Sequence, residues 1–520
     1  PGEDRPRRHG SGLRGRALIV QAFPSLEAFS AAYGAGKPAV VWTRLITDLE
    51  TPVSAMLKLA EDRPFSFLLE SVEGGSIRGR YSLIGFKPDL IWRCDRGKAE
   101  INRRARQDMN AFDPIAGAAM DSLRALIREC RIDMPAELPP MASGLFGYMA
   151  YDMVRLMERL PDANPDPLGV PDSMFMRPTV MVVFDRLEDA ALVITPVWPD
   201  AGIDARNAYD RALERLADVV NDFRRSLPYR RETAGAVGSV ADAKSNVTKR
   251  QFMDMVVKAK EYIAAGDAFQ IVPSQRYAVP FTLPPFALYR TLRRINPSPF
   301  LFYFNYGGFS IVGSSPEILV RLRDDWVTVR PLAGTRPRGA TPVEDKKMAD
   351  ELLSDPKERA EHLMLLDLAR NDVGRVAKIG SVRVTEQFVV ERYSHVMHIS
   401  SNVDGIIDPK FEALDALIAG FPAGTLSGAP KVRAMEIIDE LEPERRGIYG
   451  GCAGYFAANG TMDTCICLRT AVIKDGIMYV QSGVGVVADS DPEAEYQESV
   501  NKAKALMRAA EEAAKLAAAE

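Results

Sequence analysis

FPAGTLSGAPKVRAMEIID (residues 421–439) runs from a loop of Gly, Ser and Thr into a helix that begins near Pro430. Unpaired N–H groups at such a start can hold a carboxylate or a phosphate. The GxxxxGK(S/T) order of a nucleotide loop is absent, which rejects a mononucleotide site. Taken alone, the stretch is more often a capped helix start than an anion site.

Working outward, DPKERAEHLMLLDLAR (355–370) opens another helix, with Asp355 as cap, Pro356 in first position and Glu358 placed as in a capping box. Glu361 heads an apolar stripe with Met364, Leu365 and Leu368, so its carboxylate must reach solvent or meet a cation. Downstream, VQSGVGVVA (480–488) sets Gly483 and Gly485 in a strand-like run, which reads as a bulge or as a close approach to the backbone. Arg469 closes CICLR (465–469), either as a surface charge or as a fork for a carboxylate. The last helix spans about Pro492 to Lys515 behind Asp491 as cap, with Glu493, Glu495 and Glu498 in its first turns. Glu498 can pair with Lys502 four residues on. Two helices that each carry a carboxylate can also share one hard cation, and local pattern does not choose.

The bulk properties are those of an ordinary globular protein. Over 520 residues the hydrophobic fraction is 47%, the charged fraction 26% and the net charge −4, which gives no reason to expect nucleic acid or an anionic membrane as partner. No run of about 18 apolar residues occurs, so no membrane span is expected. Five cysteines without a second close pair read as buried structural thiols in a reducing compartment. Residues 1–38 read as a flexible extension and lead-in, basic and Gly-rich through Arg16 with no apolar core of a signal peptide behind it. Residues 39–227 form a first α/β region, with FSFLLESV (65–72) and TVMVVFDRL (179–187) as strands and residues 204–227 as an amphipathic helix. PYRRETAGAVGSVADAKSNVT (228–248) is the linker candidate, and residues 249–520 the richer second region, opened by a helix from Lys249 that Gly266 closes. Of four histidines His9 lies in the extension, and His362, His395 and His398 are each more often structural than catalytic.

In order along the chain, LLES (68–71), NPSPF (296–300), GSSPEILV (313–320), PLAGTRPRG (331–339), AEHLMLLDLARND (360–372), the opening stretch, RRGIYGG (445–451), CLRTAV (467–472), SGVGVVADSDPEAEYQE (482–498) and NKA (501–503) resemble one family. It is the chorismate-utilising enzymes, and within them the anthranilate synthase component I branch. The resemblance implies an α+β fold, a large sandwich of two facing, mainly antiparallel sheets with helices packed outside. It implies a cytoplasmic enzyme that converts chorismate and ammonia to anthranilate and pyruvate, the first step of tryptophan biosynthesis. Mg²⁺ is the implied cofactor, and a separate glutamine amidotransferase subunit the implied ammonia source, since no cysteine lies in a GxCxG elbow. Tryptophan is the implied feedback inhibitor.

By match to the family, Glu361 and Glu498 become Mg²⁺ ligands, and Gly334, Thr335, Tyr449, Arg469, Gly483, Val484 and Gly485 fall on substrate positions, with Thr425 and Lys502 as weaker members. Glu317 matches the acid that protonates the departing C4 hydroxyl, and His398 the histidine linked to loss of the C2 proton and pyruvate. Gln270 stands where relatives that add water carry a lysine, and Ala333 where aminodeoxychorismate synthases usually carry one. Both favour ammonia as nucleophile and anthranilate as product over aminodeoxychorismate, isochorismate or salicylate. The inhibitor site is matched by Glu70, Ser71, Pro299, Phe300 and Leu301, although the family often has Tyr-Met at the last two positions. A catalytically silent tryptophan-binding subunit is the alternative of a different class.

Overall fold

The structure, a computed structural model, describes residues 21–60, 63–73, 77–227, 237–239, 242–393 and 396–519. The basic stretch through Arg16, His9 and His395 lie outside the described residues. Among those described, 21 strands join in one hydrogen-bonded network, with a separate two-stranded piece, and the ladders between these strands are antiparallel.

The network is long enough to face itself. Phe67 of the strand Ser66–Glu73 stacks on Phe146 of Gly144–Met149 at 4.6 Å, although these strands pair with other partners. Between the facing layers lies a core built from Phe67, Phe146, Met176, Phe302, Phe304 and Tyr455. The alternation of side chains along each strand puts the opposite residues outward, and those need cover from helices. On one side the helices Leu26–Gly34, Ala205–Phe223, Pro285–Ile295 and Pro492–Ala519 supply Phe29, Leu216, Leu288 and Leu506. On the other, Ala119–Glu129, Pro356–Gly374 and Lys431–Leu441 supply Leu123, Leu366 and Met435. A fully buried Leu or Phe contributes about 1.5–3 kcal/mol, so these layers carry the stability of the fold. The expected α+β sandwich is therefore present.

Helix ends follow local chemistry. Asp204 accepts the Asn207 N–H at 2.8 Å, Asp491 accepts that of Ala494 at 2.9 Å, and Gly266 takes φ +85° just past the helix Lys249–Ala264. The expected capping box at Glu358 does not form. Asp355 accepts both first-turn N–H groups, from Lys357 and Glu358, and the Glu358 side chain turns to Arg336 at 2.7 Å.

The sequence divisions do not mark separate cores. The strand Phe300–Asn305 pairs with Ser66–Glu73, and Cys452–Ala457 pairs with Gly144–Met149, so the stretches 39–227 and 249–520 interleave. Residues 1–38 include the helix Leu26–Gly34, with Phe29 and Tyr33 buried. Of the stretch 228–248, residues 228–236 and 240–241 lie outside the described residues, whereas Lys244–Ser245 is a short strand paired with Ser274–Pro280. All five cysteines are buried free thiols. No helix among the described residues is long and apolar enough to cross a membrane.

Candidate active site

The loop of the opening stretch is where the site begins. Gly428–Ala429 pairs with Gln270–Ile271 in the two-stranded piece, and a Cβ on Gly428, at φ +127°, would lie 2.1 Å from the Gln270 carbonyl. Only glycine permits that approach. Held so, Gln270 donates its amide Nε2–H to Glu361 Oε1 at 2.8 Å, from one turn inside the helix Pro356–Gly374. Gly485 closes over this pair: a Cβ there would lie 2.6 Å from Gln270 Nε2 and 3.5 Å from Glu361 Oε1. The glycines of SGVG thus mark close approach, not a bulge.

Burial, with the charges of Glu358 and Glu498, raises the Glu361 carboxyl above its ordinary pKa in spite of the Gln270 bond and Lys502. Glu498 does pair with Lys502, at 2.8 Å, and is half exposed. Lys502 Nζ also donates to the Gly483 carbonyl at 3.1 Å, which ties the terminal helix to the glycine segment. Val484 contributes no free donor, because its N–H goes to the Pro273 carbonyl at 3.1 Å.

Across the chamber, Glu317 follows the strand Ser310–Ser315 and is 6% exposed. Its Oε1 accepts the Leu332 N–H at 3.3 Å and the Thr425 hydroxyl at 3.1 Å. Oε2 has no partner among the described residues, so it is the oxygen that can carry a proton outward. Burial pushes this carboxyl up to about 8, against the pull of those two bonds and of Arg469. Glu317 is therefore an acid at neutral pH.

His398 lies in the strand Val396–Ile406, with Nδ1 at 2.8 Å from the Gly334 carbonyl and 3.1 Å from Thr335 Oγ1. A bond to a carbonyl requires Nδ1 to carry the proton, which leaves Nε2 as acceptor. Nε2 is buried without a partner among the described residues. Burial and the Arg469 charge lower this imidazole to about 4, so it is neutral. Gly334 adopts φ +67° at a register shift beside this strand, and a Cβ there would lie 2.9 Å from Glu358 Oε2.

Arg469 takes φ +50°, and its guanidinium makes no hydrogen bond or ion pair among the described residues. Burial lowers its pKa, partly offset by Tyr393 and Glu317. A desolvated guanidinium without an anion is costly, and its free fork suits a carboxylate of a ligand. Tyr449 lies under the glycine segment, with its hydroxyl 2.8 Å from where a Gly483 Cβ would be.

Glu317, Thr425, His398, Gly334, Thr335, Arg469, Gln270, Glu361, Gly483, Gly485, Tyr449, Lys502 and Glu498 are linked through these bonds and mutual charges into one chamber. Sequence reasoning missed Arg446. It is fully buried against Glu442 and donates to the carbonyls of Leu426, at 2.6 Å, and Val272, so it locks two walls of the chamber. Its place in RRGIYGG, one turn after Glu442, was the available signal.

Among the described residues no cluster of three or more His, Cys, Asp or Glu could hold a metal by itself. The two carboxylates Glu361 and Glu498, hard oxygen donors of which the second raises the proton affinity of the first, fit a divalent cation that takes its other ligands from water or substrate.

A second chamber lies across the sheet. Glu70, Ser71, Pro299, Phe300 and Leu301 all line this cavity, whose volume is about 560 Å³. Glu70 and Leu301 are cross-strand neighbours. The Glu70 carboxylate accepts from Arg293 at 2.9 Å and from Tyr289 at 2.7 Å, and these contacts outweigh its burial and hold it below the usual carboxylate range.

Residues 75–508 match the chorismate binding enzyme family. Anthranilate synthase component 1 of Cereibacter sphaeroides is 63% identical over 489 residues, 94% of this chain and 98% of that protein. The crystal structure of anthranilate synthase component I from Streptococcus pneumoniae superposes with a TM-score of 0.73 at 37% identity, covering 83% of this chain and 93% of that one. The menaquinone-specific isochorismate synthase of Escherichia coli, at 18% identity and a TM-score of 0.69 over 93% of this chain and 98% of its own, shares the fold.

Proposed function

Because this chain belongs to the chorismate-binding enzymes, and within them to the anthranilate synthase component 1 family, we propose that its chamber aminates chorismate and expels pyruvate to give anthranilate. The observation that carries the reading is a buried, protonated Glu317 beside an unpartnered, desolvated Arg469. One supplies a proton to a poor leaving group, and the other receives an anion.

Arg469 and the glycine segment orient the two carboxylates of chorismate. Ammonia attacks C2, and Glu317 passes the proton on Oε2 to the C4 hydroxyl as it leaves as water. His398, neutral with Nε2 open, then takes the C2 proton as the enolpyruvyl group departs and the ring becomes aromatic. Gln270 has no basic nitrogen to activate water, and its amide is spent on Glu361.

Glu361 and Glu498 would hold Mg²⁺, which when bound adds positive charge beside the ring and balances a dianionic substrate in a chamber whose own cations are Arg469 and Lys502. A separate glutamine amidotransferase subunit would deliver the ammonia, and tryptophan would bind in the 560 Å³ cavity as inhibitor.

Incubation with chorismate, Mg²⁺ and ammonium at alkaline pH should produce anthranilate fluorescence. Chorismate loss without fluorescence would overturn the reading in favour of another product of the family. Glu361→Gln should cost about 100-fold or more in Mg²⁺-dependent rate, a loss of several kcal/mol. Full activity with unchanged Mg²⁺ dependence would remove Glu361 from the metal site.

A further inference from the structure

One layer of chain separates the chamber from the cavity behind it. Pro316 and Ile318 line the cavity, while Glu317 between them points to Thr425 and the Leu332 N–H on the other side. Such alternation is what an extended backbone imposes. Arg330, Leu332 and Glu391 belong to the same wall.

Glu391 has no part in the chemistry above, yet it is tightly engaged. Its carboxylate accepts the Tyr393 hydroxyl at 2.6 Å and the Arg330 guanidinium at 2.6 Å. Arg330 is held in turn by Glu386 at 2.6 Å, from the same strand, Arg383–Arg392. Tyr393 is 4% exposed and packs edge-on against the His398 ring, with centroids 5.5 Å apart. A chain of contacts thus runs from the cavity wall, through Glu391 and Tyr393, to the imidazole expected to take a proton from the substrate. Tyr393 lies one residue past the end of that strand, where its hydroxyl turns back to Glu391.

We infer that Glu391, braced by Arg330, is a positioning residue for the reaction: through Tyr393 it sets the His398 ring, and a molecule in the cavity is felt in the chamber through it. The second half rests on the reading of the cavity as a tryptophan site. Coupling of this kind needs two sites and an element that both of them bias, and the Arg330–Glu391–Tyr393 unit touches both.

The test uses the full chain and two variants of nearly constant shape. Glu391→Gln removes the charge that holds Arg330, and Tyr393→Phe keeps the ring but loses the hydroxyl. Each should lower kcat by about 10- to 100-fold, the scale of a small misplacement of reacting groups. KM for chorismate should stay within about 3-fold, and the double variant should be no slower than the slower single one, since coupled residues are not additive. Calorimetric tryptophan affinity should remain within about 3-fold in Glu391→Gln, while inhibition at saturating tryptophan is largely lost. Wild-type kcat in both variants, or losses that multiply in the double variant, would overturn the positioning role. Unchanged inhibition in Glu391→Gln would overturn the coupling. If wild-type protein binds no tryptophan, the cavity reading and the coupling fall together, and the kcat results still decide the positioning role.

Discussion

Glu317→Gln should lower kcat by about 10²- to 10⁴-fold, the range for loss of a general acid, and at the same time should make the protein more stable at pH 7. The first effect follows from chemistry: an amide occupies the same space between Thr425 and Leu332 but has no proton acid enough for the C4 hydroxyl. The second follows from linkage. The folded carboxyl titrates near 8 against an ordinary value of 4.5, so between these two pH values the unfolded chain is ionised where the folded chain is not. Stability therefore falls as pH rises through that window, and the amide removes the fall. Its gain at pH 7 is at most about 3 kcal/mol and disappears at pH 4, where both states are protonated. Thermal melts of both proteins at the two pH values check the sign. The wild-type pH profile of kcat/KM should lose activity as pH rises through about 8, and the variant should lack that limb. An equal melting temperature at both pH values would remove the argument that burial keeps Glu317 protonated.

Arg469→Met should cut kcat/KM for chorismate by about 10²- to 10⁴-fold, as expected for two charge-assisted hydrogen bonds to a carboxylate at about 1.5–3 kcal/mol each. Methionine keeps the apolar stem, so little cavity is created, and a desolvated charge with no partner is removed. The melting temperature should hold or rise. A variant that loses stability together with activity would mean that Arg469 supports the fold instead of waiting for an anion. Glu317 and Arg469 share this logic: each is held in a state the fold alone would not choose.

Much of this was legible in the sequence, for reasons that differ by residue. Asp491 and Gly266 act within one turn of themselves, so short-range pattern was enough to find their roles. Glu358 had an equally good local signature, yet Arg336, 22 residues earlier, outbid the helix terminus for its carboxylate. A charged partner brought by tertiary structure is stronger than the capping bond, and nothing in the local spacing reveals it. The apolar stripe headed by Glu361 correctly signalled a carboxylate facing inward. Its partner is Gln270, an amide 91 residues away, and no periodicity points there. The chemistry of the chamber was reached by resemblance and not by spacing, since Glu317, His398 and Arg469 come from three different strands or their ends. Glu391 and Tyr393 were overlooked because VVERY reads as an ordinary strand end, and the bond that joins the two side chains is not visible in that pattern.

The interleaving of the sheets has a consequence for how the chain is made. The strand Ser66–Glu73 pairs early with Ile77–Asp95 but finds its second neighbour only when Phe300–Asn305 has been synthesised, and Gly144–Met149, beside Ser173–Asp185, likewise waits for Cys452–Ala457. Until then the nascent polypeptide carries apolar strands with open edges, the kind of surface that sticks to other unfinished chains. The layers can close only after both late strands have emerged from the ribosome, and chaperones that shield long, half-made β-structure are the cellular help this architecture calls for.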